Sequence, residues 1–317
     1  MSSFTWTLDA TSGVFKSHNM SDKLRFAAIC DCEIASFVRT EPGFGRKKGD
    51  TITITKVKNI AVPTSAVLSE TEDIPIDTFS IATTGITVSE LGRGVEYTSL
   101  ANDLSKFDLK SPIQRKLKDQ LSEVMDGMAK AAFDDTYVKA IPTSATAITW
   151  DTDGTASTAA TSNITVAHCG VIRDYCKDTL LIPAYEKGHY IGLGSTKLLR
   201  GIKNDPDFQT WAQYLREGDV LYNSEVGRVE QIRWIEINNT NALASNLGTG
   251  SVLGEGLVFG DDAVALAEVT TPELRAAIPG NFGRFQAVAW YGVLAYGIIW
   301  SATSTAGEVR VIHITSS

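Results

Sequence analysis

The segment Asp108–Ala140, DLKSPIQRKLKDQLSEVMDGMAKAAFDDTYVKA, is the only long stretch of the chain with clear helical periodicity. Ser111 opens an S-x-x-Q capping box, and Pro112 suits the first helical position. Pro142 restricts the residue before it and so ends the element. The sequence therefore predicts a helix over residues 111–140, which at 1.5 Å per residue is roughly 45 Å long.

Apolar residues at steps of three and four give this helix one narrow apolar stripe. Its predicted core residues are Ile113, Leu117, Leu121, Val124 and Met128, followed by Ala131. We expect polar residues to cover the other sides, namely Arg115, Lys116, Asp119, Glu123, Asp126 and Lys130. Phe133 and Tyr137 fall opposite the stripe, so the last two turns should pack against a second surface. A long rod with two apolar sides is a support along which other elements lie.

Length and composition indicate a folded protein. The 317 residues can form one large domain or two to three small ones, and 43% hydrophobic and 21% charged residues are ordinary values. A net charge of −8 argues against DNA binding through clustered Lys and Arg. The N-terminus lacks the pattern of a signal peptide. The most apolar window, Phe285–Trp300, is too short for a membrane helix and contains two glycines, so we predict buried strands there.

The four cysteines do not predict a disulfide framework. Cys30 and Cys32 are too close for an easy bridge, and Cys169 and Cys176 would lie roughly 10 Å apart on one helix face. Reduced cysteines in a cytoplasmic setting are the natural interpretation. Together with His168 they are the only cluster of candidate metal ligands, and because buried cysteines usually act as small apolar residues we predict no metal site.

No motif predicts catalysis or a cofactor. Residues 192–197, GLGSTK, lack the residue order of a Walker loop and the third glycine of a dinucleotide loop. Residues 151–154, DTDG, lack the remaining ligands of a calcium loop. There is no G-x-S-x-G and no H-E-x-x-H, and the four histidines are scattered. We therefore predict that the chain is not an enzyme and has no catalytic, cofactor-binding or metal-binding residues.

The segments before the helix predict an arm and a ribbon. Residues 1–40 could not form a core alone. A turn-rich basic stretch, PGFGRKKGD, then leads into Thr51–Val57, where Ile and Thr alternate with the period of a strand. Residues 74–79 and 81–88 can pair back, which gives an extended two-stranded ribbon over residues 44–90. Because such a ribbon is marginally stable in water, it must lean on its own body or on a neighbouring subunit.

An α/β portion follows the helix. It begins after a polar linker at Asp151–Asn163. The predicted helices span 165–179, 196–202 and 205–215. The predicted strands span 190–193, 229–237, 257–259, 263–269, 285–300 and 309–314.

Six ordered motifs add to this arrangement. They are FGRKKGDTITIT from Phe44, TVSELGRGVEYT from Thr87, NDPDF from Asn204, NSEVGRV from Asn223, FGDDA from Phe259 and GRFQAVAWYG from Gly283. With the order of arm, ribbon, long helix and α/β lobe, they resemble the major capsid proteins of tailed bacteriophages with the HK97-type fold, and in particular the N-four-type major capsid family. Each motif alone is weak, but the ordered set spans most of the chain from about residue 40.

The resemblance implies an α+β fold with four parts. Residues 1–40 are expected to be the N-terminal arm and residues 41–90 the extended loop. The peripheral domain is expected at 91–150 and 251–284, with the spine helix at 111–140. The axial domain is expected at 151–250 and 285–317.

The resemblance also implies a structural function. We expect a coat protein that assembles as pentamers and hexamers into an icosahedral shell enclosing the genome, in the virion, after assembly in the cytoplasm of the bacterial host. The implied partners are other copies of the chain, a separate scaffolding protein, a portal protein and packaged double-stranded DNA without sequence-specific contacts, with a decoration protein as an optional addition and no membrane. Arg46, Lys47 and Lys48 are candidate inter-subunit contacts, although a solvated basic turn is the alternative.

Two alternatives remain open from the sequence. One is an encapsulin-type nanocompartment shell, which would enclose enzyme cargo in place of DNA. The other is an α/β enzyme of unrecognised type, with its site between the linker and the lobe.

Overall fold

A computed structural model of the chain describes most of its residues. They are residues 29–30, 32–41, 47, 49–68, 70, 73–105, 108–206, 208, 225–300 and 305–317. Most of the predicted N-terminal arm and most of the predicted helix at 205–215 lie outside the described residues.

Strands outnumber helices in the described part. The strands are β1 (Arg39–Thr40), β2 (Thr51–Val57), β3 (Ile81–Thr87), β4 (Ser89–Thr98), β5 (Lys139–Pro142), β6 (Ile148–Asp151), β7 (Tyr190–Ser195), β8 (Glu225–Val229), β9 (Ile232–Ile237), β10 (Gly256–Phe259), β11 (Val264–Ala276), β12 (Phe285–Ile298) and β13 (Val311–Ile314). The helices are α1 (Ser99–Leu104), α2 (Lys110–Asp134), α3 (Val166–Asp174) and α4 (Thr196–Lys203), and short 3₁₀ turns lie at Ile34–Phe37, Thr249–Ser251 and Asn281–Gly283. A π-helical turn, Tyr175–Thr179, continues α3.

The strands form three sheets. A mixed seven-stranded sheet has the order β6-β5-β13-β10-β7-β9-β8, and a four-stranded sheet has the order β1-β11-β12-β4. The two-stranded ribbon pairs β2 with β3 in an antiparallel register from Thr51 opposite Thr87 to Val57 opposite Ile81. The predicted ribbon is therefore present, but residues 74–79 have no strand partner, so the predicted strand there is wrong.

Two of the expected domain segments contribute strands to both large sheets. Residues 285–317 were grouped with 151–250, yet β12 pairs with β11 and β4 in the four-stranded sheet. Residues 251–284 were grouped with the long helix, yet β10 lies between β13 and β7 in the seven-stranded sheet. Strands of one sheet come from distant parts of the chain, and an apolar run does not reveal which partner it pairs with.

The long helix is shorter than predicted at its C-terminal end. It begins at Lys110, one residue before the predicted start, with Leu109 at the N-cap position and no side-chain capping bond. It ends at Asp134, and residues 139–142 form β5, which pairs with β13 and β6. These strand pairings outweigh the helical periodicity that continues to residue 140. The Thr136 hydroxyl fixes the turn between α2 and β5 by donating to the carbonyl of Val311 at 2.6 Å.

Helix α2 contacts both large sheets. Its N-terminal half packs Leu117 against Tyr97, Val288 and Trp290 of the four-stranded sheet. The other predicted stripe residues, Ile113, Leu121, Val124 and Met128, are only half-buried, and Ala131 is exposed. Its last turns pack Ala129, Ala132 and Phe133 against the seven-stranded sheet, with the Phe133 ring centroid 4.8 Å from that of Phe259. Tyr137, beyond the helix, is exposed. The helix thus joins the two sheets.

No helix among the described residues is both long and apolar enough to span a membrane.

Candidate functional site

The predicted contact cluster lies ahead of the ribbon. Of its three residues only Lys47 is described, and Arg46 and Lys48 lie outside the described residues. Lys47 is exposed in a turn with a φ of 67°, shortly before β2 begins. Its contacts with another copy of the chain remain a prediction.

A buried lysine holds the ribbon against the body of the protein. Lys56 is only 9% exposed; its Nζ donates to the carbonyl of Ile299 at 2.9 Å and lies 5.4 Å from the centre of the Trp300 ring. The Thr84 hydroxyl donates to the same carbonyl at 3.2 Å. Burial lowers the pKa of Lys56, while Glu308 partly offsets this change. Both strands of the ribbon are therefore bonded to one point at the end of β12.

A close approach completes this contact. Ile86 packs over Gly297, where an added Cβ would lie 2.7 Å from the Ile86 Cγ1 atom. Ile86 is buried with Ala265, Ala267 and Ala295 in a small cluster of its own. The alternating Ile residues of the ribbon thus bury one face on the four-stranded sheet, close to the ribbon's base.

The distal part of the ribbon is apolar and exposed. Val62 is 92% exposed and Ile76 is 95% exposed, and further exposed apolar residues are Ile60, Val67, Leu68, Ile74 and Phe79. Residues 58–80 form no strand pairs among the described residues. A contiguous exposed apolar segment of this kind marks an interaction surface.

A buried carboxylate anchors the turn before the ribbon. Asp126 of α2 is fully buried, and its Oδ1 accepts the backbone N–H groups of Ile34 at 2.7 Å and Ala35 at 3.2 Å. Its Oδ2 accepts from Asn239 Nδ2 at 3.1 Å. Burial raises the pKa of Asp126, and these three hydrogen bonds oppose the increase. Asp126 was placed with the polar residues outside the apolar stripe, and it is buried there because its carboxylate supplies the acceptors that the turn requires.

Five ionisable residues form a buried network at the end of α2. Lys130 Nζ lies 2.5 Å from Asp134 Oδ2 and 2.8 Å from Glu255 Oε1. His313 Nε2 lies 2.7 Å from Glu255 Oε1, and its Nδ1 lies 3.1 Å from Lys139 Nζ. The Lys139 ammonium also donates to the backbone carbonyl of Asp134 at 2.7 Å. The network joins α2, β5, β13 and the residue before β10. Lys130 was placed with the polar residues outside the apolar stripe, and the structure shows it half-buried among these charged groups.

The network sets the charges of its members. Burial alone raises the pKa of Glu255, but hydrogen bonds from His313 and Lys130 outweigh it and lower the pKa to about 2. Burial raises the pKa of Asp134 and lowers that of Lys139. Burial by itself lowers the pKa of Lys130, but its hydrogen bonds to Asp134 and Glu255 outweigh burial, and the pKa is raised. Glu255 therefore carries its negative charge at neutral pH.

The same residues include a possible ligand set. Asp134, Glu255 and His313 each place one ligand atom within 4.8 Å of the other two. However, the Lys139 ammonium donates to His313 Nδ1, so His313 Nε2 carries the hydrogen that Glu255 accepts. The Lys130 ammonium already bridges the two carboxylates. Among the described residues Asp134 Oδ1 has no hydrogen-bond partner and lies 3.4 Å from His313 Nε2. The two ammonium groups nevertheless occupy the imidazole and both carboxylates, so the arrangement is an ion-pair network and does not fit a metal.

The predicted cysteine and histidine candidates lie apart from this network. His168 and Cys169 are buried in α3, and His168 Nδ1 accepts the Thr165 N–H in a capping box. Burial raises the pKa of Cys176 to about 12. Cys30 Sγ lies 3.9 Å from Cys32 Sγ, and all four thiols are free. Among the described residues none of these side chains belongs to a group of three potential metal ligands.

Solved structures similar to this one include bacteriophage capsids and heads. The head structure of Helicobacter pylori bacteriophage KHP40 has a TM-score of 0.71 at 13% identity, over 98% of this chain and 97% of that one. The capsid structure of Helicobacter pylori bacteriophage KHP30 has a TM-score of 0.69 at 13% identity, over 96% of this chain and 97% of that one. The capsid asymmetric unit of cyanophage Pam1 has a TM-score of 0.68 at 15% identity, over 100% of this chain and 99% of that one. The chain has the HK97-type capsid fold.

At these identities the likeness establishes the fold alone, and it confirms the predicted α+β class of HK97-type. No protein-family model matches the sequence, and no curated protein matches it. Within this HK97-type fold, the Lys56 contact lies near the far end of the paired strands β2 and β3. The ion network lies between the long helix and the seven-stranded sheet. Sequence analysis missed both, since their members are separated by up to 243 residues.

Proposed function

We propose that the chain is the major capsid protein of a tailed DNA bacteriophage, and that it assembles as pentamers and hexamers into an icosahedral shell around the genome. The observation that carries this proposal is the extent of the structural likeness. Phage capsid structures match 96–100% of this chain and 97–99% of their own length.

The surface of the protomer supports self-assembly. Between residues 58 and 80 the ribbon carries exposed apolar side chains that no other described residue covers. Burying such residues against another copy gives a favourable free energy of roughly 25 cal/mol per Å² of apolar surface. A net charge of −8 suits a container that does not adhere strongly to its DNA.

We assign the parts of the protomer by sheet membership. Residues 1–40 are the N-terminal arm and residues 41–88 the extended loop. The peripheral domain consists of β4, β11 and β12 with α1 and α2, and β1 of the arm adds to its sheet. The axial domain is the seven-stranded sheet with α3 and α4, and therefore includes β10 and β13.

The basic residues ahead of the ribbon form the contact that orients neighbouring copies. Arg46, Lys47 and Lys48 pair with acidic groups on an adjoining protomer, where partial desolvation makes an ion pair stronger than on an open surface. Their position in the sequence, shortly before β2, supports this role.

Further partners follow from the same function. A separate scaffolding protein directs assembly, a portal protein occupies one vertex, and double-stranded DNA fills the shell without sequence-specific contacts; a decoration protein is an optional addition. The chain assembles in the bacterial cytoplasm and resides in the virion. Its role is geometric and not enzymatic, and the buried ion network stabilises the protomer.

Two measurements test this function. Negative-stain microscopy of the purified protein should show closed shells or capsomers, whereas small discrete particles would support the α/β enzyme. Native particles should contain DNA. An encapsulin-type shell has the same fold and would contain protein cargo in its place, so nuclease-protected DNA separates the two.

A further inference from the structure

A cleft lies between the ribbon and the body of the protomer. One wall is β3 of the ribbon, the second is the turn between α2 and β5, and the floor is the end of β12. Its volume is about 480 Å³, which is typical of sites for small molecules. The lining residues are Thr84, Gly85, Ile86, Thr87, Asp135, Tyr137, Tyr296, Gly297 and Ile298.

The charge of the cleft is negative. Asp135 is its only acidic lining residue, and no Lys, Arg or His lines it. Burial, together with the negative charges of Asp126 and Glu268, raises the pKa of the Tyr296 hydroxyl to about 12. The potential at the floor is therefore negative as well, and the cleft favours a cation over an anion.

Three polar groups of the cleft are available to a ligand. The Asp135 carboxylate and the hydroxyls of Tyr137 and Tyr296 make no hydrogen bond or ion pair with any described residue. Lys139 interacts electrostatically with Asp135, but its ammonium donates to the Asp134 carbonyl and to His313 Nδ1. All three oxygens of the cleft can therefore accept hydrogen bonds from a bound ammonium group.

The remaining surface suits an alkyl chain. Ile86 and Ile298 are buried, and Gly297 adds no side chain beside them. The rings of Tyr137 and Tyr296 offer faces that attract an organic cation. A metal ion, or one lysine side chain from another copy, would fill only a small part of this volume at the packing density of proteins.

We propose that the cleft binds a linear polyamine, one molecule per protomer, with an ammonium group on Asp135 and its methylene chain over Ile86 and Ile298. The ligand contacts the ribbon, the turn after α2 and β12 at once, so it holds the ribbon against the body. The inference goes beyond the proposed function, because binding requires neither assembly nor DNA.

Calorimetric titration of the purified full chain with spermidine tests the site. We expect one saturable equivalent per protomer, which magnesium chloride at equal charge concentration does not displace. Hydrogen exchange at the amides of residues 84–87 should become slower in the bound form. The absence of saturable binding, or displacement by magnesium, overturns the inference, because the cation would then only screen the net charge of −8.

Matched variants locate the ligand in the cleft. Asp135→Asn keeps the shape but removes the charge, and it should weaken spermidine binding at least about fivefold. Asp119→Asn is the same change on α2 outside the cleft and should keep the affinity within about twofold. Tyr137→Leu should weaken binding about threefold, whereas Tyr137→Phe retains the ring and the affinity. Equal affinities of the two Asp variants contradict the site.

Carbodiimide coupling tests the source of the ammonium group in assembled particles. With spermidine present, mass spectrometry should find it attached to Asp135. A cross-link from Asp135 to a lysine of another chain in its place would show that a side chain fills the cleft, and would overturn the polyamine assignment. Neither result depends on the content of the shell, so the proposed function is tested separately.

Discussion

His313 Nε2 lies 2.7 Å from Glu255 Oε1, and both side chains are buried although 58 residues separate them in the chain. Glu255 also contacts Lys130 of α2 at 2.8 Å, so this carboxylate joins the long helix to the seven-stranded sheet. Its second oxygen accepts the backbone N–H of Ala244 at 2.6 Å. Glu255 is therefore the centre of the network that fixes the helix on the sheet.

Replacing Glu255 should reveal this role through its pH dependence. Because the pKa of Glu255 in the folded protein is about 2, below the ordinary carboxyl value, its contribution is complete above roughly pH 4.5 and is lost as the pH falls toward 2. We expect Glu255→Gln to lower the free energy of unfolding by about 3 kcal/mol at pH 7. The difference between the two proteins should shrink in acid, as measured by urea unfolding.

The control for this variant is Glu273→Gln, which removes one partner of the exposed pair between Glu273 and Arg275. This variant should change the free energy of unfolding by less than about 0.5 kcal/mol at pH 7 and in acid. A Glu255→Gln effect that is constant between pH 7 and pH 3 would show that the charge of Glu255 is not what stabilises the fold.

Asp126→Asn should release the turn at Ile34–Phe37. One carboxylate oxygen becomes an NH₂ group, which faces either the backbone N–H groups of Ile34 and Ala35 or the NH₂ group of Asn239. In either orientation a donor faces a donor, and a hydrogen bond is lost. We expect a cost of about 1–3 kcal/mol in the free energy of unfolding. Hydrogen exchange at the Ile34 and Ala35 amides should become faster.

Asp119→Asn is the matched control on the same helix, because the partner of Asp119 among the described residues is the half-exposed Lys116. Exchange at Ile34 and Ala35 should not change in this variant. Unaltered exchange in Asp126→Asn as well would mean that the carboxylate does not hold the turn.

The sequence revealed the fold better than it revealed the buried polar groups. The 3.6-residue period located α2 and the period-two alternation located β2, because both follow from local geometry. The helix end at Asp134 was missed since the pairing of β5 with β13, 174 residues away along the chain at Lys139 and His313, overrides the local pattern.

Buried charges were missed for a related reason. Asp126 and Lys130 fall on the polar side of the helical wheel, and a polar residue gives no sign of being buried until its partners are known. Those partners, Asn239 and Glu255, come from distant loops. Leu121 and Val124 were predicted as core residues but are half-buried. The apolar pattern does not show which part of the stripe other elements of the chain cover.

Lys56→Met should separate folding from assembly. The methionine keeps the apolar stem in place but removes the donor to the Ile299 carbonyl and the cation over Trp300. We expect circular dichroism to show a folded protomer, and we expect the yield of shells in sedimentation to fall several-fold because the ribbon loses its fixed direction.

Lys58→Met is the control for the ribbon. Lys58 pairs with Glu308 at 3.2 Å and is more exposed, so its loss should leave the shell yield within about twofold. If both variants assemble like the unmodified protein, the Lys56 contact does not direct the ribbon.

Reversing Arg46, Lys47 and Lys48 to Glu should also spare the protomer, since no core residue changes. Repulsion from acidic groups on the neighbouring copy should reduce or misdirect shell formation. Sedimentation and circular dichroism on the same sample check both statements. Normal shells from the triple variant would show that these residues form only a solvated basic turn.

Cryo-electron microscopy of particles assembled from the purified chain tests the central claim most directly. The account predicts closed icosahedral shells in which the chain forms pentamers and hexamers, with α2 and both large sheets in every protomer and the ribbon of each copy lying on its neighbour. Monomers or small closed oligomers under all assembly conditions, with the ribbon exposed to solvent, would contradict it.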